Sequence, residues 1–216
     1  MYQHLLIIML CGLCCAQPLQ GKPQKPLHEL RQKNPATIRV HGAGGGRIRI
    51  TNATNRTTLN LERDISGCLH LYDHLDPKWH SNVSAKIKVI DKVSKDSKYY
   101  VVLFAIAPSN CNVQGHCGAG GEDHTVIWLK LDTRLRLEDK KRAVIEDCQS
   151  NISTKGGDTD TEESAVKLVD GKLAVEYGDE FGDPKKRTLS HLIYDRNFPE
   201  KGFVITTEEV KTPSGY

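Results

Sequence analysis

The sequence lacks an apolar run long enough to cross a membrane, and this excludes a chain anchored by a spanning helix. Such a helix needs about 20 apolar residues, whereas the apolar run at residues 5–13 is much shorter. Aromatic residues are also scarce, at 6% of the chain, and the only tryptophans are Trp79 and Trp128. Sugar-binding faces stack their ligands on aromatic rings, so a sugar-binding face would have few rings to use.

Several motifs of common enzymes are also missing. The glycine-rich segment 41–47 lacks the Gly-Lys-Ser/Thr ending of a phosphate-binding loop, and no Gly-x-Ser-x-Gly motif occurs. Ser190 and His191 are adjacent, so on a strand they point to opposite faces and cannot act together as nucleophile and base. An enzyme is therefore the less favoured interpretation, although it stays open.

A short hydrophobic segment at the amino terminus predicts export. Residues 5–13 are followed by Cys14, Cys15 and Ala16, and small residues of this kind precede signal-peptidase cleavage sites. We therefore assign residues 1–16 to a signal peptide, although its first residues include no Lys or Arg. We expect a secreted protein, or a periplasmic one if the chain is bacterial, because the sequence does not reveal the source kingdom.

Removal of this signal peptide changes the cysteine count from odd to even. Of the seven cysteines, the four that remain are Cys68, Cys111, Cys117 and Cys148. An even number in an exported chain favours disulfides, and three full pairings exist. We favour Cys111–Cys117, which closes a small loop, together with Cys68–Cys148. The second pair closes a loop of about 80 residues, and long closures constrain the unfolded chain most.

Asn-x-Ser/Thr sequences occur more often than chance predicts. They begin at Asn52, Asn55, Asn82 and Asn151. In a eukaryotic secreted protein these would be glycosylation sites, whereas in a bacterial protein they would be turn sequences without modification. Both interpretations stay open, and in either case we expect exposed turns.

Composition divides the rest of the chain into three parts. Residues 17–36 are basic, rich in Pro and Gln and poor in apolar side chains, which predicts a disordered leader. Residues 37–210 are expected to form one β-rich domain and residues 211–216 a flexible tail. The formal net charge of +3 is small, and a nucleic-acid partner is not expected.

Within the domain, apolar residues recur with a period near two, which predicts half-buried strands. The strands are expected at residues 37–41, 47–51, 58–61, 85–90, 99–107, 125–131, 166–169, 172–177, 189–194 and 202–207. Asp170 and Gly171 tolerate positive φ and predict a two-residue hairpin turn, while residues 134–145 are the best helical candidate. The predicted fold is mostly β, a disulfide-stabilised antiparallel sandwich or barrel-like domain, with propeller-like repeated β units as the alternative.

The loop at residues 111–124 is the main candidate for a binding site. It joins two apolar runs and carries His116, Glu122, Asp123 and His124 beside its two cysteines, and loops on rigid scaffolds often carry function. Zinc is disfavoured, because the spacing matches no standard zinc site and export favours oxidised cysteines. We therefore assign no metal to this loop.

No cofactor is predicted elsewhere in the chain. Acidic segments at residues 156–163 and 178–183 place carboxylates close together, as calcium loops do. The EF-hand pattern fails, however, because Val169 stands where its last glutamate is required. We favour solvated acidic loops, with calcium binding as the alternative.

We interpret the chain as an exported, non-catalytic β domain that binds an extracellular or periplasmic protein or carbohydrate. No complete catalytic constellation appears, whereas export and strand patterns do. One alternative is a secreted hydrolase with its site near residues 111–124, and another is a structural component of an envelope or matrix. The sequence leaves the ligand and the oligomeric state open.

Peptide mapping under non-reducing conditions tests the disulfide assignment. We expect a tryptic peptide spanning residues 99–130 with an internal Cys111–Cys117 bond, and a second species that joins Cys68 to Cys148. A reduced and alkylated digest is the control. A species that joins Cys117 to Cys148 would show that the pairing is wrong.

Overall fold

A computed structural model of the protein describes residues 37–65, 85–109, 122–148, 150–155, 166–179 and 187–210, all within the unit Asn34–Tyr216. The elements are β1 (Arg39–Gly42), β2 (Arg47–Thr51), β3 (Arg56–Asn60), α1 (Glu62–Ile65), β4 (Lys86–Lys95), β5 (Lys98–Pro108), β6 (Glu122–Leu131), β7 (Leu137–Glu146), β8 (Ile152–Thr154), β9 (Lys172–Asp179), β10 (Thr188–Asp195) and β11 (Phe203–Glu209). A 3-10 turn at Pro199–Lys201 precedes β11. The prediction of a mostly β fold is confirmed.

The strands form three antiparallel sheets. The amino-terminal sheet has the order β1-β2-β3, the central sheet β4-β5-β6-β7 and the carboxy-terminal sheet β11-β10-β9-β8. Neighbours in each sheet are consecutive in the chain, so each sheet is a simple meander. None of them closes on itself, so the barrel-like alternative is wrong. The propeller-like alternative is not seen either, because the sheets stack face to face around the central one.

Both faces of the central sheet are covered. Every residue of β5 from Tyr99 to Ala107 is buried. Because side chains alternate along a strand, its odd-numbered residues face the amino-terminal sheet and share a core with Ile48. Its even-numbered residues face the carboxy-terminal sheet and share a second core with Leu173 and Leu192. The domain therefore has two cores and three layers, one layer more than a simple sandwich.

A buried polar contact joins the carboxy-terminal sheet to the central sheet. Tyr194 on β10 donates a 2.9 Å hydrogen bond to the Asp91 carboxylate on β4, and the Arg196 guanidinium lies 3.5 Å from the same carboxylate. Burial raises the pKa of the Tyr194 phenol well above its usual range, and the Asp91 charge adds to this effect. The phenol therefore stays protonated and remains a donor, which fixes β10 against β4.

α1 closes the end of the first core. Lys140 on β7 places its Nζ 2.7 and 2.8 Å from the two oxygens of the Asp64 carboxylate, and the Thr125 hydroxyl donates to the Ile65 carbonyl at 2.5 Å. The glycine-rich segment between β1 and β2 packs on the start of this helix. Gly46 has a φ of 69°, and a Cβ there would lie 2.8 Å from Cγ of Glu62, so the segment is a tight turn.

The helix expected at residues 134–145 is absent, and this prediction is wrong. β7 runs through most of that segment and pairs with β6. Its first six residues are exposed and mostly charged, so their composition suits a helix and shows no strand-like alternation. Pairing with β6 and burial of Ala143 and Ile145 in the second core favour the strand over local propensity.

The turn predicted at Asp170 and Gly171 is confirmed. Both residues have positive φ, of 50° and 77°, as a primed two-residue turn requires. Val169 and Lys172 exchange backbone hydrogen bonds across it, and the Arg196 amide donates to the Gly171 carbonyl at 2.8 Å. The turn is therefore tied to the end of β10. Residues 166–169, predicted to be the strand before this turn, form only the single bridge between Val169 and Lys172, so that part of the prediction is wrong.

Several sequence-based expectations lie outside the described residues. They concern residues 1–16, 17–36 and 211–216 and the cysteines Cys68, Cys111 and Cys117. The domain boundaries and both disulfides therefore remain predictions. Within the described segments, no helix is long and apolar enough to cross a membrane.

A matched pair of substitutions tests the three-layer architecture. Val101 and Val102 are adjacent, fully buried and in different cores. We expect Val101→Ala and Val102→Ala each to lower the free energy of unfolding by about 1.5 kcal/mol or more. Each substitution removes buried apolar volume equal to two methylene groups and leaves a cavity. Urea unfolding measures both losses.

The exposed Val204 provides the control for this pair. Val204→Ala should change the free energy of unfolding by less than about 0.5 kcal/mol. If either core variant behaved like this control, one face of β5 would be open to solvent and the central sheet would not be a middle layer.

Candidate functional site

β6 begins inside the segment that the sequence singled out. Glu122, Asp123 and His124 are its first three residues, whereas His116 lies outside the described residues. Because side chains alternate along a strand, Glu122 and His124 share the face that continues to the second core, and Asp123 points to the opposite face. The structure brings two of the predicted residues together and separates Asp123 from them.

The His124 imidazole lies between two carboxylates. Its Nδ1 is 2.9 Å from Oε2 of Glu146, and its Nε2 is 3.9 Å from Oε2 of Glu122. The register of β6 and β7 places Glu146 directly opposite His124. The ring also lies edge-on to Phe104, with 5.4 Å between the ring centroids. The His124 side chain is 2% exposed and the Glu146 side chain 25%, so the imidazole is enclosed by protein while the carboxylate reaches solvent.

The neighbouring sheet completes this cluster. The Thr154 hydroxyl on β8 donates to Oε2 of Glu146 at 3.3 Å, so the histidine pair lies where the central and carboxy-terminal sheets meet. Sequence reasoning missed both Glu146 and Thr154. No local motif marks them, and recognition of β7 as the strand opposite β6 would have been the only available signal for Glu146.

The chemistry open to this cluster is narrow. A carboxylate at Nδ1 fixes the tautomer and orientation of an imidazole, as in catalytic acid–base pairs. The same arrangement also satisfies a histidine that is enclosed in a core. No group of three or more His, Cys, Asp or Glu within the described ranges is arranged to hold a metal ion. Enclosure against Phe104 favours a stabilising role.

The predicted glycosylation sites differ in their surroundings. The Asn52 amide nitrogen donates to the Thr133 carbonyl at 3.0 Å, and the Asn55 amide nitrogen donates to the Thr54 hydroxyl at 2.8 Å. A glycan at either residue would replace one of these N–H donors. Asn151 is exposed in the turn before β8, with a φ of 55°.

Other predicted sites lie mostly outside the described residues. Asn82 and the acidic segment 156–163 are among them, and only Gly178 and Asp179 of the segment 178–183 are described. Calcium binding at these segments therefore remains an untested alternative.

The carboxy-terminal sheet carries a surface that the sequence did not reveal. Its solvent side, here called the outer face, comprises Lys172, Ala174, Glu176, Leu189, His191, Ile193, Asp195, Val204, Thr206 and Glu208. The strand register aligns Ala174, Ile193 and Val204 in one apolar row across three strands. Ile193 and Val204 are 49% and 54% exposed. Large apolar groups thus face solvent together on this sheet.

A charged row borders the apolar row. The Nδ1 of His191 lies 3.3 Å from Oε1 of Glu176, and its Nε2 lies 3.6 Å from Oε1 of Glu208. Glu176 on β9 and Glu208 on β11 therefore lie on opposite sides of the His191 ring on β10. The two carboxylates do not point to one shared position. This row gives the outer face an acidic border.

His124→Ala tests the stabilising role of the enclosed histidine. We expect it to lower the free energy of unfolding by about 2–4 kcal/mol, because it leaves a cavity beside Phe104 and removes the partner of Glu146. Chemical denaturation measures this loss. The partly exposed His191, replaced in His191→Ala, is the matched control and should lose less than about 1 kcal/mol. Equal losses in the two variants would contradict the assignment.

Comparison of the chain with protein-family models, with curated proteins and with solved structures gives no significant match. No relative therefore supplies a role for any residue. The enclosed His124 cluster and the outer face of the carboxy-terminal sheet are the two features of the described residues on which a functional inference rests.

Proposed function

We propose that this protein is an exported, non-catalytic domain that binds another protein through the outer face of the carboxy-terminal sheet. The observation that carries the proposal is where the exposed apolar side chains lie. Among the described residues, the large exposed apolar side chains Ile193 and Val204 are paired neighbours on the outer face. Four more lie elsewhere on the carboxy-terminal sheet or at the turns and ends of its strands, namely Val169, Phe198, Ile205 and Val210, and Leu137 lies on β7. Contiguous exposed apolar surface with a polar border is typical of protein interaction sites.

The charges of the outer face favour a partner with basic side chains. Glu176 and Glu208 border the apolar row, and both are more than half exposed, so they are available to Lys or Arg of a partner. A matching surface would combine aliphatic side chains with one or two cations. The same carboxylates disfavour nucleic acid, which would meet negative charge here.

A protein partner fits this surface better than a carbohydrate. Sugar-binding faces present aromatic rings, and the outer-face residues named above include none. Trp128 is buried in the second core, where its indole N–H donates to the Pro199 carbonyl at 2.9 Å. It is therefore a structural side chain that holds the turn before β11.

Export and disulfide stabilisation belong to the same proposal. They are supported by the signal-like residues 1–16 and by the even number of cysteines beyond them. A secreted or periplasmic setting also suits a domain whose proposed function is recognition. The Asn-x-Ser/Thr sequences would carry glycans if the source is eukaryotic.

A binding experiment with two apolar-to-lysine variants tests the proposed surface. The immobilised protein is measured by biolayer interferometry against a panel of purified extracellular proteins, and the free protein is applied to a glycan array. We expect a protein ligand whose affinity falls by about tenfold or more in Ile193→Lys, because a lysine in the apolar row meets apolar and basic groups of the partner.

Leu137→Lys is the matched control. Leu137 is exposed and similar in size to Ile193, but it lies on β7 of the central sheet. Its affinity should stay within about twofold of the unsubstituted protein. Binding to glycans alone, or equal loss in both variants, would contradict the proposed surface.

The hydrolase alternative rests on one observation, the 2.9 Å contact between His124 and Glu146, which is the geometry of an oriented general base. It predicts turnover of chromogenic peptide, ester or glycoside substrates by the unsubstituted protein. It also predicts loss of that turnover in His124→Ala with the fold intact. If no turnover occurs and the variant is destabilised, His124 is structural and the binding proposal stands alone.

A further inference from the structure

β11 is the outermost strand of the carboxy-terminal sheet, and it extends beyond the core. β10 pairs along one of its sides, and no strand within the described ranges pairs with the other side. Phe203 is buried, whereas every residue from Val204 to Glu209 is exposed. Both faces of the strand are therefore open after its first residue, which is unusual for a segment of β-branched residues.

The edges of the central sheet are protected in a way that β11 is not. β4 carries Lys86, Lys88, Lys92 and Lys95, and β7 carries Lys140, Lys141 and Arg142. Charged side chains, above all lysine, discourage an edge strand from pairing with another chain. β11 has no charge from Phe203 to Thr207, and its sequence Val-Ile-Thr-Thr has high strand propensity.

The backbone of β11 directs alternate residues to the free side. The Val210 amide donates to the Arg187 carbonyl at 2.8 Å, one step beyond the pair Thr188 and Glu209. Hydrogen-bonded pairs alternate along an antiparallel ladder. The backbone N–H and C=O groups of Val204, like those of Val210, therefore point toward β10. Phe203, Ile205, Thr207 and Glu209 therefore direct their N–H and C=O groups away from β10.

The two ends of β11 have opposite charge. At its start, Lys201 lies two residues before the strand, and Lys141 places its Nζ 2.7 Å from the Lys201 carbonyl. At its end stand Glu208 and Glu209, both exposed. An antiparallel neighbour of the same sequence would bring the acidic end of each strand to the basic end of the other. Pairing centred on Ile205 does this, because it brings Glu209 of one copy to the 3-10 turn that carries Lys201 in the other.

We propose that β11 pairs antiparallel with β11 of a second copy, so that two carboxy-terminal sheets become one continuous sheet. The pair would be two-fold symmetric, with Ile205 at the axis and the same charge contact formed twice. Shifting the register by two residues aligns Glu209 with Phe203 and loses this contact. The outer faces of the two copies would lie on one side of the joined sheet and double the surface proposed for binding.

Sedimentation velocity of the full secreted chain across a concentration series tests this dimer. We expect a species of twice the monomer mass, which dissociates as the salt concentration rises because its charge contacts are exposed. Ile205→Pro should be monomeric, since proline removes the central free-side N–H but is tolerated on an edge strand. Ile205→Val keeps the N–H and is the control that should still dimerise.

Charge reversal provides a second test that does not depend on a proline. Lys201→Glu and Glu209→Lys should each weaken dimerisation by about fivefold, because each reversal acts at two symmetric contacts. The double variant should restore it. A protein that stays monomeric at every concentration would overturn the proposal. So would a dimer that persists in a folded Ile205→Pro variant, or reversals whose effects are not rescued in combination.

The dimer test is independent of the proposed binding function. Ile205→Pro alters the edge of the sheet, whereas Ile193→Lys alters its outer face. If the unsubstituted protein is monomeric and binds a protein ligand that Ile193→Lys does not bind, the dimer proposal is wrong and the binding proposal stands. If the protein dimerises through β11 but binds no protein ligand, the dimer proposal stands and the binding proposal is wrong.

Discussion

The requirement to cover both faces of β5 determines the rest of this structure. Its buried residues from Tyr99 to Ala107 alternate between two directions, so no single partner layer can remove them all from water. At about 25 cal/mol per Å² of buried apolar surface, leaving one face open would forfeit much of the stabilisation of the domain. The amino-terminal and carboxy-terminal sheets are therefore both necessary, and the central sheet becomes a middle layer.

Three layers also determine where polar groups must find partners inside the protein. Asp91 meets Tyr194 and His124 meets Glu146, in each case across two strands. Such contacts add little net stability when complete, but removing one partner leaves a buried polar group without its bond. The contact between Asp91 and Tyr194 therefore aligns two layers, whereas the contact between His124 and Glu146 aligns two neighbouring strands of the central sheet. The outer sheets, in turn, expose their far sides, and the carboxy-terminal sheet places its apolar row there.

The local pattern of the sequence predicted some elements well. The turn at Asp170 and Gly171 was predictable because these two residue types tolerate positive φ. Residues 134–145 were misread, because the charged start of β7 has no alternation and only pairing with β6 makes it a strand. The candidate site was likewise predicted only in part. Glu122 and His124 were found from their own chemistry, whereas Glu146 reaches His124 only across the sheet.

By itself, the sequence determined that the domain is mostly β and where its main turn lies, because backbone preference and alternation act between near neighbours. Only the tertiary structure decided that β5 is buried on both faces, that Asp123 and His124 point to opposite sides, and that Ile193 and Val204 share an exposed row. Those outcomes depend on which strands pair and which sheets stack. Apolar burial selects these arrangements over the whole chain, and burial is a property of distant residues brought together.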